Sequence, residues 1–119
     1  FDNETFDFIY AISVFTHLTE ELEKFWFEEI YRVLRYGGIL LLTIRIEPSY
    51  LHPFTRKERK IFSEKGFVSL HPRYAGTLYC NSFHSLEYIQ KTLLSKFKLR
   101  SLIRKGATDY KQDIVILEK

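Results

Sequence analysis

The 119 residues contain no Met, a single Cys and a single Trp, with three Pro and five Gly. One Cys excludes an internal disulfide framework and any zinc site built on paired cysteines. No apolar run reaches the roughly 18 residues that a membrane-spanning helix needs. No segment has the basic-then-apolar order of a secretory leader. These absences point to the reducing cytoplasm and away from membranes. Without Met, Phe1 does not read as a translation start, so the chain is expected to be a piece of something longer.

Rings and apolar residues are plentiful. Eleven Phe and eight Tyr stand in a chain that is 45% hydrophobic, which excludes wholesale disorder. The length suits one domain over residues 1–119, with a core that buries roughly two-thirds of the unfolded surface. The net charge of +3 is unevenly spread. Residues 1–50 hold four Lys/Arg against nine Asp/Glu, and residues 51–119 hold fourteen against six. A basic half can mark an anionic partner. Here the cations are scattered, however, and the densest run, RKERK at 56–60, carries an acid. A solvated surface is the simpler expectation, and no nucleic-acid partner is expected. His52, His71 and His84 lack the spacing of metal ligands, so no metal site is expected.

Residues 6–12, FDFIYAI, read as a buried strand whose near-continuous apolar run implies cover on both faces. Residues 19–35 read as a helix. Thr19 is placed as N-cap and three Glu stand in the first turn. Leu22, Phe25, Trp26, Ile30, Val33 and Leu34 form its apolar stripe, and Gly37 is a left-handed stop. Residues 39–46, ILLLTIRI, make a second buried strand, completing a strand–helix–strand crossover. Residues 48–53 read as a loop, 55–65 as a polar helix stopped at Gly66, and 78–80 as a short strand. Ser85 caps a helix to 95 with Leu86, Ile89, Leu93 and Leu94 inward. Residues 97–104 alternate, with Phe97, Leu99, Ser101 and Ile103 on one face. A turn at 105–109 leads to a last strand, IVIL at 114–117, which should pair antiparallel with its neighbour.

These elements carry a recognisable pattern. Residues 6–18, FDFIYAISVFTHL, resemble the fourth-strand motif of class I S-adenosylmethionine (SAM)-dependent methyltransferases. Residues 30–42, IYRVLRYGGILLL, resemble the motif that follows it, with Tyr36 where Pro is usual, and QDIVILEK at 112–119 is similar to the family's last strand. The resemblance implies an α/β fold with a partial Rossmann-like sheet. The chain would supply the family's fourth to seventh strands in the order 4-5-7-6, the last antiparallel, flanked by helices. It would be the C-terminal half of the fold, lacking the N-terminal half that grips SAM. No Gly-rich loop follows a strand here, and Gly37-Gly38 precedes a strand rather than opening a helix.

The implied activity is methyl transfer from SAM to a small-molecule acceptor in the intact protein, with weak or no SAM binding by these residues alone. The alternative is a methyltransferase-like module without activity. Ala11, Ile12 and Ser13, at the carboxyl end of a parallel strand, would face the methionine end of SAM. His17 matches the family's histidine; it could line the pocket, act as a base or simply fix the helix entry. Arg45 could hold an acidic group of the substrate, and Tyr79, His84 and Tyr88 lie where relatives place recognition residues. Each also has a plain reading as surface charge or ring packing. Cys80 reads as a small buried hydrophobe. The strand at 6–12 would lack its neighbour, so its edge should be covered by a second copy, a preceding segment or a swapped element.

Overall fold

In the computed structural model, residues 1–47, 54–107 and 111–119 are described. The loop expected at 48–53, with His52, lies outside them, as does the end of the turn expected at 105–109.

Four strands form the main sheet: β1 (Phe6–Ala11), β2 (Leu34–Ile44), β5 (Lys98–Ile103) and β6 (Asp113–Glu118). Their order is β1-β2-β6-β5, with β1 parallel to β2 and β6 antiparallel to both β2 and β5. This is the 4-5-7-6 order and sense that the resemblance implied. Helix α1 (Glu20–Val33) joins β1 to β2, and α3 (Leu86–Thr92) leads through a 3₁₀ turn into β5. Thr19 caps α1 through the Leu22 amide, and Ser85 caps α3 through the Tyr88 amide.

The core lies on one face of this sheet. Ile9 and Ala11 of β1, Leu40, Leu42 and Ile44 of β2, and Val115 and Leu117 of β6 meet Phe27 and Ile30 of α1 and Ile89 and Leu93 of α3. Leu34, Leu40, Leu42, Ile44 and Leu117 are fully buried. Lys119 closes the corner: its Nζ donates to the Leu34 carbonyl (2.8 Å) and lies over the rings of Tyr31 and Tyr36.

A second, two-stranded antiparallel sheet, β3 (Phe67–Leu70) with β4 (Asn81–His84), forms a small core of its own with α2 (Arg56–Lys65). Thr55 and Glu58 form a reciprocal capping box at the start of α2, and Gly66 (φ 72°) ends it in the left-handed conformation. This unit is bound to the end of β2: the His84 amide donates to the Arg45 carbonyl (2.8 Å) and the Glu47 amide to the His84 carbonyl (2.6 Å).

Five local expectations are corrected. The apolar stripe of α1 is rotated: Glu23, Phe27 and Ile30 face inward, while Leu22, Phe25 and Trp26 are exposed. Glu23 can point inward because His84 meets it there. Helix α1 ends at Val33, and Leu34 already pairs with Phe6, so Gly37 is not the helix stop. Its positive φ (76°) instead serves a register shift in the β1–β2 ladder, where Phe8 faces Ile39. A Cβ at Gly38 would meet the Arg35 carbonyl at 2.8 Å, which forces glycine there. Residues 78–80 are turn rather than strand, and the strands of that region are β3 and β4. A register shift between Leu99 and Ser101 breaks the alternation of β5, so Leu102, not Ile103, packs on the core. Leu86 is likewise more exposed than its helical spacing suggested.

Cover on both faces is not found for β1. Phe8, Tyr10 and Ile12 point away from the core and stand 53%, 70% and 51% exposed. Among the described residues β1 pairs with β2 alone, so its other edge is free. No helix among the described residues is long and apolar enough to cross a membrane.

Buried polar contacts join the two units: Ser82 Oγ of β4 donates to the Leu18 carbonyl, and His84 meets Glu23. His84 Nε2 and Glu23 Oε2 lie 2.6 Å apart, both side chains 1% exposed, and His84 Nδ1 donates to the Arg45 carbonyl (3.2 Å). Phe67 and Tyr88 pack their rings on the imidazole. Burial, then the neighbouring Glu23 and Glu20 carboxylates, push the Tyr88 phenol far above its ordinary pKa, so it stays neutral. Removing one partner of such a pair strands the other. Glu23→Ala should therefore lower the unfolding free energy by about 3 kcal/mol in urea denaturation, against less than about 0.5 kcal/mol for exposed Glu21→Ala.

Candidate functional site

A crevice opens beyond the carboxyl end of β1, the strand parallel to β2. Its first wall is the turn that leaves β1, from Ser13 to Leu18. Ser13 adopts φ 55°, which costs a non-glycine residue on the order of 1 kcal/mol and needs support. The support is a closed side-chain network. The Ser13 amide donates to Thr43 Oγ1 (2.8 Å), Thr43 Oγ1 donates to Gln112 Oε1 (2.6 Å), and Gln112 Nε2 donates to Ser13 Oγ (2.8 Å). Thr43 and Gln112 are buried, so the network links the end of β1 to β2 and to the start of β6. Sequence reasoning missed both. The only available signal was one hydroxyl inside the apolar run ILLLTIRI.

The second wall is the segment from His71 to Cys80, a chain of tight turns. Tyr74 donates its amide to the His71 carbonyl, Ala75 to Pro72, Thr77 to Tyr74 and Cys80 to Thr77, all near 3.1 Å. Gly76 takes φ 81° and donates its amide to the His17 carbonyl (2.8 Å), which holds this wall against the first. Tyr74 and Tyr79 pair with ring centroids 5.7 Å apart. The crevice between the walls has a volume of about 500 Å³ and is lined by Ser13, Val14, His17 and Leu18 on one side and by Gly76 to Tyr79 on the other.

His17 sits between the two walls. Its Nδ1 lies 2.6 Å from the Cys80 carbonyl, which can only accept, so Nδ1 carries the proton. In the neutral ring Nε2 then holds the lone pair, and it has no partner among the described residues.

The sequence-nominated residues therefore divide. Ser13, His17 and Tyr79 are brought together at the crevice, and Ile12 stands exposed beside it. The Ala11 side chain faces the core. Arg45 lies just behind the first wall, donating to the Thr16 carbonyl (3.2 Å), with its guanidinium over the Phe83 ring. His84 and Tyr88 lie apart, buried in the Glu23 cluster. Among the described residues no group of three His, Cys, Asp or Glu side chains is placed to hold a metal.

Cys80 is fully buried next to Ser82 Oγ, and burial raises its thiol pKa. The folded state thus prefers the thiol. That preference is fully present below the ordinary thiol pKa and is lost as pH rises above it. At pH 8 Cys80 should react with Ellman's reagent at least about tenfold more slowly in the native chain than in urea. Equal rates would show the thiol to be accessible.

Residues 1–42 match the family profile described as a methyltransferase domain. No curated protein matches the chain. Solved structures do. A SAM-dependent methyltransferase from Methanosarcina mazei superposes with a TM-score of 0.67 at 18% identity, covering all of this chain and 61% of that one. A protein from Pyrococcus horikoshii OT3 gives 0.57 at 16% identity, covering 99% of this chain and 53% of that one. A SAM-dependent methyltransferase from Thermotoga maritima, described as a possible histamine N-methyltransferase, gives 0.55 at 19% identity, covering 98% and 57%. The chain thus spans between about half and three-fifths of the length of these structures. It shares the α/β fold of these structures, two of them SAM-dependent methyltransferases, and its first 42 residues match the methyltransferase-domain profile.

Proposed function

We propose that this chain is the acceptor-side part of a cytoplasmic SAM-dependent methyltransferase, acting on a small molecule. The observation that carries this reading is the crevice beyond the carboxyl end of the parallel strand β1, the side on which open α/β sheets bind ligands. When bound, SAM supplies an electrophilic methyl group on a sulfonium. The residues present fit one end of it. Ile12, Ser13 and Val14 leave their turn exposed at the end of β1, and the Ser13 network fixes that turn in one conformation. The residues that would hold the adenosine are not found in the sequence: no Gly-rich loop follows a strand. Positioning of the acceptor by the second wall and acceptance of its proton by His17 Nε2 are the contributions this chain would make.

The free edge of β1 and the exposed Phe8, Tyr10 and Ile12 support a partner on that side. The three solved structures are longer by a margin that could supply it. A preceding segment, a second copy or a swapped element would each bury the edge. A second reading, a module without activity, draws on the missing glycine-rich loop.

Two measurements separate these readings. Calorimetric titration of the 119-residue chain with SAM should show no micromolar binding, while a chain that includes any coding sequence preceding Phe1 should bind. Micromolar binding by the 119 residues alone overturns this division of labour; no binding by the longer chain favours the inactive module. In size-exclusion chromatography at high concentration the 119-residue chain should elute larger than a monomer, and Tyr10→Lys should shift it toward the monomer. Strictly monomeric elution of the unaltered chain would show that its edge needs no cover.

A further inference from the structure

The structure assigns to the crevice an uncharged acceptor built on a flat ring, with its O–H donating to His17 Nε2 and its ring against Tyr79. This inference rests on the methyl-transfer reading for its biological meaning, but its binding claim stands on the crevice alone.

Three features of the crevice carry it. First, among the described residues no Lys, Arg, Asp or Glu side chain lines it. A charged ligand would lose water there without gaining a counter-charge. Arg45, the nearest candidate cation from the sequence, donates to the Thr16 carbonyl and stacks over Phe83 instead of lining the crevice. Second, the Cys80 carbonyl accepts from the Nδ1–H of His17, a lining residue, which leaves Nε2 of the neutral ring as the acceptor that selects a ligand that donates. Third, Tyr79 is 72% exposed although its neighbour Cys80 is fully buried. The tight turns of this wall leave it little freedom to withdraw: the Tyr79 amide donates to Thr77 Oγ1 (3.3 Å), and its ring is propped by Tyr74. A ring this exposed at an open wall, with Tyr74 its one ring partner among the described residues, is a platform for a second ring.

If the acceptor gives up its proton, the O–H bond breaks and an N–H bond forms at Nε2. The resulting imidazolium keeps its Nδ1 proton on the Cys80 carbonyl, so the ring need not turn.

The test uses the whole 119-residue chain and three probes: 2-naphthol, naphthalene-2-carboxylate and 2-naphthylmethylamine, at pH 7. Long-range ¹H–¹⁵N spectra should show His17 as the Nδ1–H tautomer. 2-Naphthol should shift the His17 and Tyr79 ring signals, and the charged probes should bind at least about tenfold more weakly. Tyr79→Ala should weaken 2-naphthol about tenfold. His17→Phe should remove the preference for 2-naphthol over naphthalene, and His17→Gln, which keeps an acceptor, should retain part of it. Equal binding of a charged probe, or 2-naphthol shifts confined to other residues, overturns the inference. SAM binding by the longer chain without 2-naphthol binding here would defeat this inference alone. The converse would leave the crevice intact and defeat the methyl-transfer reading.

Discussion

The contact between His84 and Glu23 is the joint on which the geometry of the crevice depends. The small sheet could meet the main one in several ways, because its own core of Phe54, Val68, Leu70 and Phe83 is separate. A polar bond buried where water cannot compete ties a strand of the small sheet to the helix of the large one, and Ser82 Oγ donates to the Leu18 carbonyl as well. Backbone bonds from Arg45 and Glu47 then set the height of β4 against the end of β2. Strand β4 leads directly out of the tight-turn wall, so this placement also determines where Tyr79 and the Cys80 carbonyl stand relative to His17. An apolar joint of the same size would hold the units together with less say over their angle.

A similar logic applies at the first wall. Ser13 is held in an unfavourable backbone conformation by groups from two other strands. The strain is local, and its support comes from Thr43 and Gln112, residues remote in sequence. Asp113, next to Gln112, does comparable duty: its carboxylate accepts from the Ile46 and Lys105 amides and from Arg104 Nε. The antiparallel strand β6 thus brings two consecutive polar side chains to the end of the sheet where the crevice lies.

The strands of the main sheet were legible from apolar runs such as FDFIYAI and ILLLTIRI, and their order from the family resemblance, but the bare outer face of β1 was not, because an apolar run reads the same whether or not it is covered. The helix faces were less legible. Leu22, Phe25 and Trp26 satisfy helical spacing as well as Phe27 and Ile30 do, and only the partner of Glu23, sixty-one residues away, decides which stripe turns inward. The bulge in β5 leaves no mark on an alternating sequence, since one extra residue merely exchanges the faces. At the site, His17 and Tyr79 could be nominated from motif and position. The state of the imidazole could not, because it is set by a backbone carbonyl, which every residue has. Thr43 and Gln112 were invisible for a related reason: their role lies in a ring of bonds among three strands.

The open edge of β1 has a consequence for how firmly the strand is held in time. In a parallel ladder, alternate amides of a strand point to opposite sides. On β1 one set is bonded to β2 and the other faces outward. In hydrogen exchange the strand should therefore be split residue by residue into slow and fast amides, even though every residue shares one backbone. The fast set lies on the same stretch of chain that runs into Ser13 and His17. The ordering of the crevice's first wall is thus tied to whatever occupies that edge, and a partner binding there would slow the fast amides before it touched any side chain of the site.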